Sequence, residues 1–238
     1  MRSPQGIQTA ESQVDKAVSI LQQGGLVAFP TDTLYALGAH AFIESAVRRV
    51  YQVKGRPIEM ALPLLLANAL DLEKVAIRIP QSAWDMAEGF WPGALTLILH
   101  KGPSVSPAVT AGKDTVAVRV PNHPLALKLI EAAGAPLTGT SANRSGDSDP
   151  ITATEVSRQL GEGVDLILDD GPCPLEGAST IVDMTSDIPR IVRNGAISAS
   201  LLAQVCPGIE GLSELVKKSL TRDTTRPRPG LPQARTPS

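Results

Sequence analysis

Aromatic residues are scarce in this chain: three Phe, two Tyr and two Trp among 238 residues. Hydrophobic residues still make up 42%, so the interior must be built from aliphatic side chains. The length suffices for a real core, as one large domain or two small ones. Cysteine is nearly absent. Cys173 and Cys206 supply neither a disulfide framework nor a zinc quartet, and read as reduced thiols. The three histidines, His40, His100 and His123, lie far apart and show no metal-ligand spacing. No apolar run approaches the roughly 20 residues of a membrane span, and the opening MRSPQGIQTAESQ lacks the apolar stretch of a signal peptide. The expectation is a soluble, cytoplasmic protein without membrane contact. A net charge of −2 gives no whole-protein attraction to nucleic acid, so any basic site must be local.

The common nucleotide and metal signatures are missing too. Gly112-Lys113 is followed by Asp114, and Pro107 stands where a P-loop needs its first glycine. There is no GxGxxG, no HExxH and no CxxC pair. A nucleotide, if bound, is bound by another geometry.

What the chain does contain is alternation. Apolar spacing predicts helices over 12–23 (capped by Ser12 and stopped by Gly24-Gly25), 43–53, 69–76, 80–89, 124–133 and 154–160. LVAF (26–29) reads as a buried strand, and LPLLLA (62–67) and ALTLIL (94–99) as strands buried on both faces. TVAVRV (115–120), a short segment near 136–140, LILD (166–169), STIVDM (179–184) and PRIVRNG (189–195) complete the strands. Strand–helix alternation followed by strand pairs argues for a mixed-sheet α/β domain. It spans 10–206, with a helical extension over 207–220 and a disordered tail rich in Pro, Arg and Thr over 221–238.

Short polar groups sit where these apolar runs end, the places at which α/β folds build ligand sites. Lys54-Gly55-Arg56 places two cations just past a helix, a pair able to face a triphosphate. Taken alone, the triplet fits a solvated helix end better, since basic residues there also face the negative end of the helix dipole. Arg119 interrupts an apolar strand and needs a carboxylate, a phosphate or water; a ligand carboxylate and an internal ion pair serve it equally. Ser141 and Asn143 can bond phosphate oxygens or their own turn, with the turn the simpler reading. Thr31, Asp32 and Thr33 carry the same ambiguity, and Arg193 reads as a charge beside the Asn194-Gly195 turn.

The motifs PTDTLYALG, KGRP followed by LPLLL, FWPGALTLIL, VAVRVPNHP, GTSANRSG and STIVDM…RIVRNGAI occur together and in this order over about residues 10–205. In this the chain resembles the YrdC/TsaC family of threonylcarbamoyl-AMP synthases, in its single-domain form. The resemblance implies a twisted mixed parallel/antiparallel sheet with flanking helices around a large, concave, positively charged cavity. It implies synthesis of threonylcarbamoyl-adenylate and pyrophosphate from L-threonine, bicarbonate and ATP, with Mg²⁺ carried mainly by ATP. Partner proteins would then transfer the group to tRNA, beside the anticodon. Carried over, Lys54, Arg56, Thr115, Ser141, Asn143 and Arg193 are expected on the ATP side, with Lys54 and Arg56 stabilising the transition state. Thr33, Arg119 and Ser179 are expected to hold threonine. No protein metal ligands are expected.

Three positions depart from the family pattern: Met60 replaces a polar ATP contact, Leu65 a His seen in some relatives, and Asp149 a common Ser. Met60 and Asp149 favour the rival expectation of a YrdC-like paralogue that keeps the cavity but lacks synthase activity. A second rival, a double-stranded RNA-binding protein, has the net charge of −2 and the few aromatics against it.

Overall fold

Aliphatic runs broken by glycine, proline and polar turns give short strands here. The structure, a computed structural model, describes residues 10–174 and 177–211. It begins with α1 (Ala10–Gln22), the hairpin of β1 (Val27–Pro30) and β2 (Tyr35–Gly38), and α2 (Glu44–Lys54). Helix α1 starts before Ser12, so Ser12 lies in its first turn instead of capping it; Ala10 and Glu11 are good helix formers. β2 had no sequence signal, because YALG neither alternates nor runs long.

The middle of the chain forms β3 (Leu64–Leu65), α3 (Leu72–Val75), β4 (Ala76–Ile77), α4 (Gln81–Phe90), β5 (Leu95–Lys101), α5 (Pro107–Thr110) and β6 (Thr115–Arg119). β3 is shorter than the LPLLLA run. Pro63, which has no N–H, cannot extend the ladder toward Leu62. The chain continues through α6 (Pro124–Ala133), β7 (Leu137–Thr138), β8 (Thr140–Ser141), α7 (Ala153–Leu160), β9 (Leu166–Ile167), β10 (Thr180–Asp183), β11 (Arg190–Arg193) and α8 (Ala199–Val205). α7 opens on a full capping box between Thr152 and Glu155. Of the expected extension over 207–220, residues 207–211 form a turn and an isolated bridge between Glu210 and Arg190, not helix. The rest of it, and the expected tail over 221–238, lie outside the described residues.

Two sheets result, in the orders β8-β2-β1-β9 and β11-β10-β5-β6-β3-β7, with β4 also paired to β5. Both are mixed: β1 runs parallel to β9 and antiparallel to β2, and β5 parallel to β10 and antiparallel to β6. β1 is buried on both faces. Its Val27 and Phe29 pack with Val14, Ala17 and Leu21 of α1 and Leu129 and Ile130 of α6, while Ala28 faces the larger cluster with Val47 and Val50 of α2. β5 differs from expectation. Ile98 and His100 are only half-buried, as are Thr115 and Ala117 on β6 and Ile181 and Asp183 on β10. With a period of two, these residues share one face, and that face is left open. The chain passes from one sheet to the other between β7 and β8, bringing the open face beside the β1–β2 hairpin.

Candidate active site

The β1–β2 hairpin turns through Thr31–Leu34. Thr31 Oγ1 donates to the Leu34 carbonyl at 2.7 Å and accepts the amides of Thr33 and Leu34, which fixes the loop. The loop thereby presents Asp32 and Thr33 to Arg119 at the end of β6. Arg119, 7% exposed, donates from Nη2 to Asp32 Oδ1 at 2.5 Å, from Nη1 to Thr33 Oγ1 at 3.0 Å and from Nε to the Gly93 carbonyl at 2.8 Å. The internal ion pair is therefore real, and Asp32 is its carboxylate. Three of the five guanidinium N–H groups are used in this way, and Arg119 also lines a cavity. The ion-pair reading of this arginine therefore applies, and the same side chain also faces a cavity.

Helix α2 ends at Lys54, and Gly55 takes the left-handed conformation (φ 58°), its N–H returning to Gln52 while the Arg56 N–H returns to Tyr51. A side chain there would meet the Cβ penalty that glycine avoids. This turn sends Lys54 and Arg56 different ways. Arg56 reaches the cavity, with its guanidinium tied to the Met60 and Ala61 carbonyls at 3.1 and 3.0 Å. Lys54 is 3% exposed, and its ammonium donates to the Ser141 carbonyl, to the Asn143 carbonyl at 2.7 Å and to Asn143 Oδ1 at 2.9 Å. Asn143 Oδ1 also accepts from Ser141 Oγ at 2.7 Å, and its amide donates to the Asp147 carbonyl. Lys54 and Asn143 thus stand behind Ser141 as one buried network. Burial, with Arg56 adding and Asp149 opposing, brings the Lys54 pKa down to about 8.

On the far side, Ser179 precedes β10. Its hydroxyl bonds Thr96 Oγ1 at 2.8 Å and accepts from Arg193 Nη2 at 3.0 Å, while its carbonyl accepts from Arg193 Nε and Nη2. Burial lowers the Arg193 pKa, Asp149 opposing and Arg119 adding.

These groups surround one cavity of about 350 Å³. Of the expected site residues, Thr33, Arg56, Arg119, Ser141, Ser179 and Arg193 line it. Lys54 and Asn143 support its wall. Thr115 shares the strand face of Ala117 and Arg119 but sits beyond the lining, about 7 Å along the strand from Ala117. Sequence reasoning missed Thr96, a polar residue on the open face of ALTLIL whose only signal was its alternation with Leu95 and Leu97. It flagged Asp32 without seeing its partner. Among the departures, Leu65 and Asp149 line the cavity, whereas Met60 is 46% exposed and contributes its carbonyl. Cys173 and Cys206 are free and buried. Among the described residues no helix is long and apolar enough to cross a membrane.

The Sua5/YciO/YrdC family model, described as "Telomere recombination", matches residues 19–195. Threonylcarbamoyl-AMP synthase of Bacillus subtilis is 39% identical over 219 residues, covering 90% of this chain and 63% of that protein. The crystal structure of Pyrococcus abyssi Sua5 complexed with L-threonine superposes with a TM-score of 0.82 at 39% identity, covering 84% of this chain and 59% of that one. The chain thus spans about three fifths of the length of these two. Threonylcarbamoyl-AMP synthase of Hahella chejuensis is 33% identical over 188 residues, which cover 79% of this chain and 96% of that protein.

Proposed function

This chain belongs to the Sua5/YciO/YrdC family, and from that membership and its cavity we propose that it makes threonylcarbamoyl-AMP and pyrophosphate from L-threonine, bicarbonate and ATP. The observation that carries the reading is the convergence of Arg56, Arg119 and Arg193 with the hydroxyls of Thr33, Ser141 and Ser179 on one cavity. A likeness at 39% identity to a structure holding L-threonine supports the amino-acid half.

In this reading Arg119 receives the threonine carboxylate. Asp32 and the Gly93 carbonyl hold its guanidinium plane still, so little side-chain entropy is lost on binding. Thr33 and Ser179 offer hydroxyls beside it. The threonine amine attacks bicarbonate, water leaves, and a carbamate oxygen then attacks the α-phosphorus of ATP as pyrophosphate departs. Neither step needs a protein nucleophile; both need aligned reactants and neutralisation of developing phosphate charge. Arg56, just past α2, and Arg193, at the end of β11, supply that charge. Ser141 contributes its hydroxyl, Lys54 and Asn143 hold it in place, and the half-buried Ala117 and Ile181 give an apolar floor leading toward Thr115 for the nucleoside. ATP enters as its magnesium complex. The product would pass to proteins that transfer the threonylcarbamoyl group to tRNA in the cytoplasm.

Purified protein given ATP, bicarbonate and Mg²⁺ should release pyrophosphate only when L-threonine is added. Release that ignores threonine, or none under any condition, would sink the synthase reading.

A further inference from the structure

Among the described residues, the charged side chains that line the cavity are the arginines Arg56, Arg119 and Arg193 and one carboxylate, Asp149. Asp149 lies on the exposed stretch that follows the Ser141–Asn143 turn, and the field of its carboxylate reaches Lys54 and Arg193. Neither cation needs it for support. Lys54 is held by Ser141 and Asn143, and Arg193 by Ser179. A carboxylate facing the place where phosphates would bind opposes a bare triphosphate by like-charge repulsion, while a divalent cation between them turns that repulsion into attraction.

We propose that Asp149 holds the Mg²⁺ of the nucleotide complex, directly or through a coordinated water, and so makes nucleotide binding depend on the metal. The inference rests on the nucleotide reading of the cavity given above. The donor set fits this ion. Mg²⁺ takes hard oxygen ligands, keeps several waters, and is commonly bound by one or two carboxylates together with substrate phosphates. No cluster of three or more His, Cys, Asp or Glu that could hold a metal occurs among the described residues, so one carboxylate completes a site only when phosphate oxygens provide the remainder. A carboxylate acting merely as counter-ion to Lys54 and Arg193 predicts something different: its removal would change affinity for ATP equally with and without metal.

The test is calorimetric titration of ATP into the intact protein, in excess Mg²⁺ and in EDTA, for wild type, Asp149→Asn and Asp149→Glu. Wild type should bind ATP far more tightly with Mg²⁺. In Asp149→Asn the ratio of the two affinities should shrink about tenfold, with metal-free ATP binding more tightly than to wild type. Asp149→Glu, which keeps the carboxylate, should retain most of the ratio. An identical ratio in wild type and Asp149→Asn overturns this inference alone. Wild-type protein that binds ATP in neither condition overturns the nucleotide reading and takes this inference with it.

Discussion

At the scale of single residues, the site depends on charged groups whose positions are set by other parts of the protein. Removing the Arg119 side chain would leave the half-buried Asp32 without its cationic partner, bonded still to the Asn122 N–H, so Arg119→Ala confounds binding with folding. Arg119→Lys keeps the charge but loses the planar fork. It should raise the threonine requirement by about tenfold, the loss of one charged hydrogen bond, while thermal stability falls little and the ATP requirement stays nearly constant. Steady-state kinetics in both substrates decide this, and a loss confined to ATP would overturn the assignment. Lys54 carries a pH prediction. Its pKa is brought down to about 8 by burial and Arg56, and a bound triphosphate favours the charged ammonium. The pKa therefore rises on binding, which makes affinity full below about pH 8 and reduces it as pH climbs through that value. ATP titrations between about pH 7 and pH 9.5 should show this step, and Lys54→Arg should erase it. A flat profile would separate Lys54 from the phosphates.

At the scale of elements, helices were the most legible in the sequence. α6 occupies Pro124–Ala133, the predicted range, because a proline at its first turn, an unbroken apolar face and Gly134 after it all act locally. Short strands were less legible. β2 pairs with β1 across the hairpin and with the distant β8, β4 pairs with β5 beyond an intervening helix, and no local pattern marks either strand. Glycine positions show the same dependence. Gly195 follows β11, and a Cβ there would stand 2.2 Å from the Ala178 carbonyl oxygen, 2.4 Å from Ser179 C and 2.5 Å from Thr180 N. These are backbone atoms of the segment that positions Ser179, so they cannot rotate away. Gly195→Ala should cost about 1–3 kcal/mol, the scale of overpacking, and weaken threonine use at the same time. Urea denaturation and the threonine KM measured together are the check. Unchanged values for both would mean the close approach is not required.

At the scale of the whole molecule, one aliphatic cluster joins both sheets: Ala28 and Leu37 from the first, Leu64, Leu97, Val118 and Val182 from the second. A core shared in this way should unfold as one unit. Leu97, fully buried on the strand between β10 and β6, is a suitable probe. Leu97→Ala should lower stability by about 2–5 kcal/mol. Its unfolding midpoints by Trp84/Trp91 fluorescence and by far-ultraviolet circular dichroism should fall together. Separated transitions would show that the two sheets fold independently.

By itself the sequence determined the α/β class, the aliphatic core, most helices and the family, because periodicity, turn residues and ordered motifs are local properties of the chain. It also named the polar groups that end the apolar runs. Tertiary structure alone decided how those groups are shared out. Lys54 turned inward to Ser141 and Asn143 while Arg56 turned to the cavity; Arg119 took Asp32 as its partner; Ser179 and Arg193, assigned to different substrates, came into contact. Each of these outcomes joins residues far apart in sequence or depends on how a turn aims its side chains. Local pattern carries no record of which distant partner satisfies a buried charge, and only the packed sheets bring those partners within hydrogen-bond reach.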